Sequence, residues 1–212
     1  MRLFSKSALG GVALLATLLP AVAQVGTVPQ VGLTTGYLAR VTYSAVFIGL
    51  APAASTTDLI CIAGSSSKTI RLQSLTVSGS AATTLSLPIT VLRRTSLDTA
   101  GTAASTTANP ANTISKRDVG SPTATATLVS YTANPTINDA SPTYIDSAQL
   151  AISLTTMATV GIPVRFDWSK DTENFLQAPT ITQGVTGQIC LNLNATSLAS
   201  GLLTGSITWT EE

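Results

Sequence analysis

Histidine is absent from this 212-residue sequence, and charged residues make up only 10% of it. Histidine is the commonest general base and the commonest zinc ligand, so Ser-His-Asp, Cys-His and histidine-metal sites are excluded. The 11 Lys and Arg residues are matched by 10 Asp and Glu residues, which leaves no excess positive charge to attract nucleic acid. The composition therefore predicts a protein that is not an enzyme, needs no cofactor and does not bind nucleic acid.

Aromatic residues are also scarce, at 5% of the chain, whereas serine and threonine are abundant. Threonine combines a β-branched stem, which favours strands, with a hydroxyl group that tolerates water. Short runs in which every second residue is apolar recur from residue 41 onward, separated by turn-forming residues. We expect an all-β fold, an antiparallel β-sandwich that is jelly-roll-like and has about eight or nine strands. The predicted strands cover residues 41–50, 58–63, 68–78, 85–95, 124–132, 144–154, 162–168, 188–194 and 203–210.

The clearest alternation lies in residues 68–78 and 85–95, which are separated by the small residues 79–84. Two alternating runs joined by a short polar turn are typical of a hairpin. We therefore expect these two strands to pair as an antiparallel hairpin with Leu72 and Val91 on its buried face.

The N-terminal 23 residues have the composition of an export signal. Arg2 and Lys6 precede a short apolar run, and Ala21-Val22-Ala23 has the small-x-small form that signal peptidase cuts. Residues 1–23 are thus predicted to be a signal peptide, with a retained hydrophobic segment as the alternative. Residues 24–40 are expected to form an extended arm, and residues 41–212 the β-sandwich domain. This organisation predicts an extracellular or cell-surface location, and no stable membrane span is expected once the signal is removed.

Residues 96–122 form a long stretch rich in Thr, Ala, Ser, Asn and Pro. A compact domain usually keeps such a stretch only as a functional or mobile surface loop. We expect this loop to serve assembly contacts and to be dispensable for folding.

Cys61 and Cys190 each lie in a predicted strand among apolar neighbours. Two cysteines in an exported chain can close a disulfide if their strands are adjacent. The alternative is that both are buried small apolar side chains, which free cysteines commonly are.

A run of oxygen-bearing side chains follows the strand at residues 162–168 and is a weak candidate for a calcium site. Its members alternate as calcium ligands do in a loop: Asp167, Ser169, Asp171 and Glu173. Thr172 stands where an EF-hand loop needs glycine, and Ala178 where it needs glutamate. The competing interpretation is a polar turn with Trp168 packed beneath it, and the sequence assigns no metal site.

Five stretches, in order, resemble small β-rich proteins encoded among the virion genes of tailed bacteriophages and prophages. They are residues 65–71, 91–102, 131–135, 190–194 and 207–212. The resemblance spans about residues 41–212 and implies a decoration or fibre-base module that associates with itself or with other particle proteins. Members of that group begin near the equivalent of Val41, so the export signal suggests a phage-derived domain used at a cell surface or in an extracellular filament.

The sequence leaves two functions open. The first is a non-enzymatic structural protein, a jelly-roll-like module of a phage-type particle or of an extracellular surface assembly. The alternative is a secreted adhesin domain that binds a carbohydrate or a receptor.

Overall fold

The computed structural model describes residues 40–104, 113–139, 141–154, 162–169, 178–198 and 201–212. Arg40–Glu212 form one compact unit, which is all-β, with no helix in those described ranges. It follows that these ranges contain no helix able to cross a membrane. The strands are β1 (Thr42–Leu50), β2 (Ser55–Ala63), β3 (Ile70–Ala81), β4 (Leu85–Arg94), β5 (Thr102–Ala103), β6 (Ile114–Lys116), β7 (Thr127–Ala133), β8 (Thr143–Leu154), β9 (Val164–Asp167), β10 (Thr180–Ile181), β11 (Gln188–Ser197) and β12 (Leu202–Glu211).

The strands form two antiparallel sheets with the apolar core between them. The first sheet has the order β5-β7-β2-β11-β4-β8, and the second has the order β3-β12-β1-β6, with β9 and β10 also paired to β3. The end of β8 runs parallel to the end of β3 and joins the two sheets. This β-sandwich-like arrangement confirms the predicted fold class.

The twelve strands exceed the eight or nine expected because three of them are very short. Strands β5 and β10 have two residues each and β6 has three. An alternating pattern needs about four residues to be recognised. The short strands pair at the margins of longer ones, so only the folded chain reveals them.

Alternation along β1 places its side chains on two faces. Tyr43, Ala45 and Phe47 are buried in the core, whereas Val46 and Ile48 are exposed. Opposite Phe47 lies Gly205 of β12, where a Cβ atom would collide with the Phe47 ring and the Thr76 carbonyl oxygen. Glycine at this position therefore makes room for a large core side chain.

The expected hairpin of β3 and β4 is wrong. Strand β3 pairs with β12 over ten residue pairs, whereas β4 pairs with β11 and β8 in the other sheet. The chain thus crosses from one sheet to the other after β3. Leu72 and Val91 are both buried as predicted, but they belong to facing sheets. A crossover and a hairpin need the same alternation and the same short turn, so local pattern could not separate them.

The described part of residues 96–122 is more than the surface loop that the sequence predicts, while its dispensability for folding stays a prediction. In this segment β5 pairs with β7 and β6 pairs with β1. The side chain of Asp98 is wholly buried, and the Pro122 carbonyl accepts a 3.0 Å hydrogen bond from the Tyr43 hydroxyl. Residues 105–112 lie outside the described part of the chain. The remainder of the segment contributes buried groups and strands, which argues against its being dispensable for folding.

A buried carboxylate at the C-terminus fixes the segment that leads into β7. Glu211 accepts hydrogen bonds from the amides of Thr125 and Ala126, at 2.8 and 3.1 Å, and from the Thr125 hydroxyl at 2.6 Å. The indole Nε1 of Trp209 also donates to it, at 3.1 Å. Four donors around one buried carboxylate satisfy its charge and join β12 to the start of β7.

Candidate functional site: a buried acidic cluster under residues 96–104

The outer face of the first sheet carries a row of side chains set by strand alternation. Cys61 of β2, Cys190 of β11 and Leu92 of β4 lie directly opposite one another. They form a satellite apolar cluster with Tyr131 and Val129 of β7. Residues 96–104, which follow β4 and which we call the strap, lie against this face through β5 and through Asp98.

Cys61 and Cys190 form a disulfide with a Cα–Cα distance of 4.1 Å. The sequence left a bridge and two buried thiols as alternatives, and the structure contains the bridge. It connects neighbouring strands whose cysteines are 129 residues apart in the chain. The bridge is buried beneath the strap.

Beside the disulfide lies an ion pair between Arg94 of β4 and Asp58 of β2. The Nε and Nη2 atoms of Arg94 donate to the two oxygens of Asp58, with 3.0 Å between Nη2 and Oδ1. The Asn192 side-chain amide donates to the same carboxylate. Arg94 Nη1 donates to the Asp139 carbonyl at 2.9 Å. Burial opposes the charge of Arg94, but its bonds and attraction to Asp58 outweigh that effect and raise its pKa.

Asp98 of the strap brings a second carboxyl group to this pair. Its Oδ1 lies 3.8 Å from Arg94 Nε and has no hydrogen-bond partner. Its Oδ2 lies 3.8 Å from the Cys61 sulfur. Burial and the neighbouring Asp58 carboxylate raise the pKa of Asp98 to about 7, while Gln188 and Arg94 act in the opposite direction. Asp98 is therefore protonated in weakly acidic solution.

Two further titratable groups border the cluster. The Asp139 carboxylate accepts hydrogen bonds from the Thr95 amide at 2.7 Å and the Ser141 amide at 2.9 Å, and these backbone bonds lower its pKa. Burial raises the pKa of Tyr131, and the negative charges of Asp98 and Asp58 raise it further. Asp139 thus stays ionised and Tyr131 stays neutral near pH 7.

A protonated and an ionised carboxyl group side by side have the composition of an acid–base pair. A catalytic acid or base must touch its substrate, however, and the side chains of Asp58 and Asp98 are both 0% exposed. In this arrangement the pair can hold residues together but cannot reach a substrate.

The same region contains four residues of metal-ligand type, Asp58, Cys61, Asp98 and Cys190, each of which has one candidate ligand atom within 4.8 Å of the others. Metals bind the thiolate form of cysteine, whereas these two sulfurs are joined in the disulfide. The Asp58 oxygens already accept hydrogen bonds from Arg94. The donor set as folded does not suit a metal ion.

The structure describes two of the four predicted calcium ligands, Asp167 and Ser169. Asp167 accepts hydrogen bonds from the amide and hydroxyl of Ser169 and pairs with Arg165 at 2.9 Å. The Ser169 bonds lower the pKa of Asp167. Trp168 is buried beneath this turn and stacks on Phe166. Asp171 and Glu173 lie outside the described residues, and the described part forms a hydrogen-bonded polar turn.

Sequence reasoning missed Asp58, Arg94 and Asp98. Asp58 directly precedes the apolar run Leu59-Ile-Cys-Ile62 of β2, and a charged residue next to such a run is a usable signal of a buried ion pair. Arg94 and Asp98 offered no such signal, because they were assigned to a strand end and to a solvated loop.

Comparisons of the chain with protein-family models, curated proteins and solved structures found no match.

Proposed function

We propose that this chain is a non-enzymatic structural protein, a jelly-roll-like module that assembles on a phage-type particle or in an extracellular surface assembly. The observation that carries the proposal is the outer edge of β1. Among the described residues, β6 is the strand that pairs with this edge, and it reaches only Tyr43, Ser44 and Ala45. Beyond that point Val46 and Ile48 are 42% and 54% exposed.

An open strand edge next to exposed apolar side chains is a template for adding a strand from another chain. Proteins that remain monomeric usually cover such edges with charge, proline or a bulge. Positive φ at Gly49 and the register shift near it confine the regular part of this edge to the residues before Gly49. The edge thus offers a short, apolar contact suited to a second copy or to another structural protein of the assembly.

The resemblance of five stretches to virion proteins of tailed phages supports the same proposal. The predicted signal, and the predicted arm except Arg40, lie outside the described residues, and export is part of the proposal. Its direct check is the intact mass of the protein purified from cells, which should correspond to a chain beginning at Gln24. A mass that includes residues 1–23 would refute removal of this segment.

The assembly proposal is tested by light scattering on the full chain and on Val46→Lys/Ile48→Lys. We expect a defined oligomer or polymer for the parent and a smaller species, with unchanged circular dichroism, for the variant. Val119→Lys is the matched control, because Val119 is 95% exposed and lies outside β1. A parent that is monomeric at micromolar concentration, or a variant that associates like the parent, would overturn the role of this edge.

A second candidate, a secreted adhesin for a carbohydrate or receptor, is favoured by one feature. A cavity of about 210 Å³ lies between the end of β4 and the turn after β10, with Arg93, Thr180 and Val185 among its lining residues. Small-molecule sites usually measure about 300–1,000 Å³, so this cavity is smaller than a typical ligand site. The adhesin is therefore the second candidate, after assembly. Ligand-detected NMR with a panel of acidic and neutral sugars tests it, using Arg93→Ala as the control that should abolish binding.

A further inference from the structure

The strap is a mostly exposed segment held by backbone hydrogen bonds, by side-chain hydrogen bonds from Asn138 to the Leu97 carbonyl and from Thr132 to the Thr102 carbonyl, and by the buried side chains of Asp98 and Ala104. Thr99 and Thr136 exchange backbone hydrogen bonds of 3.1 and 2.7 Å, and the Ala104 amide donates to the Ser130 carbonyl at 2.7 Å. Residues 99–103 are exposed. Asp98 is the one charged residue among residues 96–104, and its side chain is fully buried. Asp98 is thus the ionisable anchor among the contacts that hold this segment.

Groups from five parts of the fold face this anchor. They are Asp58 of β2, Arg94 of β4, Tyr131 of β7, Gln188 of β11 and Asp139 before β8. When Asp98 is ionised, three carboxylates surround one guanidinium group. Each nitrogen of Arg94 already donates to Asp58 or to the Asp139 carbonyl. Gln188 and Arg94 favour the ionised form of Asp98, but burial and the Asp58 carboxylate outweigh them, so an ionised Asp98 is a buried charge that is only partly compensated, which is costly.

We propose that residues 96–104 form a pH-sensitive strap, closed over the Cys61–Cys190 disulfide while Asp98 is protonated and opening when Asp98 ionises. A neutral Asp98 can donate its proton to the Asp58 carboxylate, which relieves the repulsion between the two groups. Ionisation removes that donor and adds a negative charge. Opening places the carboxylate in water and uncovers the disulfide, Leu92 and Tyr131. This inference does not depend on the proposed function.

The direction of the pH dependence follows from the two states. In the open strap Asp98 has the ordinary pKa of about 3.9, whereas in the closed strap it is raised to about 7. Opening therefore releases a proton between these pH values. The opening equilibrium constant should rise by up to about tenfold per pH unit across this window and level off above it.

Hydrogen exchange of the folded full chain measures strap opening directly. The amides of Thr99, Ala104 and Thr136 report on the strap, and the amides of the β3–β12 ladder report on global unfolding. After correction for intrinsic base catalysis, strap protection should fall at least tenfold from pH 5 to pH 7 and stay level to pH 8.5. Asp98→Asn, which imitates the neutral acid, should keep the strap protected at every pH. Asp118→Asn is the matched control, since Asp118 is an exposed turn residue, and it should behave like the parent.

Reduction of the disulfide by a water-soluble phosphine gives a second readout. At each pH the reduction rate of the parent is divided by that of Asp98→Asn, which removes the reagent's own pH dependence. This ratio of rates should rise at least tenfold between pH 5 and pH 7. Asp98→Ala removes the anchor, so its reduction rate relative to that of Asp98→Asn should be high and the same at all pH values. The proposal is wrong if Asp98→Asn shows the parent's pH dependence, or if Asp98→Ala is as protected as the parent at pH 5.

Discussion

Arg94 and Asp58 form a two-point ion pair in which neither side chain reaches solvent. Strand β11 lies between β2 and β4, but Asp58 pairs with Asn192 and Arg94 with Gln188. The long Arg94 side chain therefore reaches Asp58 diagonally across β11. Removing two charges from water is costly, and the pair offsets that cost only while both partners and their hydrogen bonds are present. The stability of the first sheet therefore depends on keeping this pair intact.

The first prediction concerns removal of one partner of this pair. Arg94→Met leaves Asp58 buried without its counter-charge, and we expect a loss of about 3–5 kcal/mol in the free energy of unfolding. Arg165→Met is the matched control, because the Arg165–Asp167 pair is exposed and should cost less than about 1 kcal/mol. Chemical denaturation of both variants measures the difference. Equal losses would show that the buried pair contributes no more to the free energy of unfolding than the exposed pair does.

The sequence predicted the long strands because their alternation is a local property. It did not predict which strands pair, since the partner of β3 is β12, at the far end of the chain. Hairpin and crossover share one local pattern, so the choice between them depends on contacts between distant residues.

The candidate site illustrates the same limit. Cys61 and Cys190 could be singled out by residue type, although the sequence left their bond undecided. Asp98 could not be singled out, because its burial results from the strap folding over a sheet made of distant strands. Composition predicted that residues 96–122 are solvated, whereas the side chain of Asp98 within them is buried beside Arg94.

A second prediction concerns the disulfide. In the chain-entropy description, a bridge between residues separated by 129 positions stabilises the fold by about 4–5 kcal/mol. Cys61→Ala/Cys190→Ala should lose approximately this amount, as measured by thermal and chemical unfolding at pH 5, where the strap is expected to be closed. The reduced parent provides the control and should unfold like the double variant. An unchanged melting temperature in both would contradict a stabilising bridge.

A third prediction compares the two C-terminal glutamates. Glu211→Gln replaces a carboxylate that accepts four hydrogen bonds with an amide whose NH₂ group faces donors. We expect a loss of about 1.5–3 kcal/mol. Glu212→Gln removes partly exposed ion pairs to Arg40 and Arg71 and should cost less than about 1 kcal/mol. Similar unfolding curves for the two variants would show that the buried Glu211 carboxylate stabilises the fold no more than the Glu212 carboxylate does.

A fourth prediction concerns alkaline stability. Burial, with a smaller contribution from Glu211, raises the pKa of Tyr43 above its usual value of 10. A raised pKa means that the folded state retains the proton longer than the unfolded state, so stability is present below pH 10 and is lost as pH rises through the folded-state pKa. Tyr43→Phe should lose stability less steeply above pH 10, although it lacks the bond to Pro122. Tyr144→Phe, at an exposed position, is the control and should keep the parent's slope.

The last prediction tests the placement of the core between the sheets. Leu72 and Val91 are fully buried on facing sheets, so Leu72→Asp or Val91→Asp would place an unpaired carboxyl group in the apolar interior. Such burial costs several kcal/mol, which is comparable with the roughly 5–15 kcal/mol that stabilises a whole domain. Both variants should be insoluble or unfolded by circular dichroism. Val119→Asp introduces the same charge at an exposed apolar residue and should melt like the parent. If the Leu72 and Val91 variants also melt like the parent, these strands do not face a shared core.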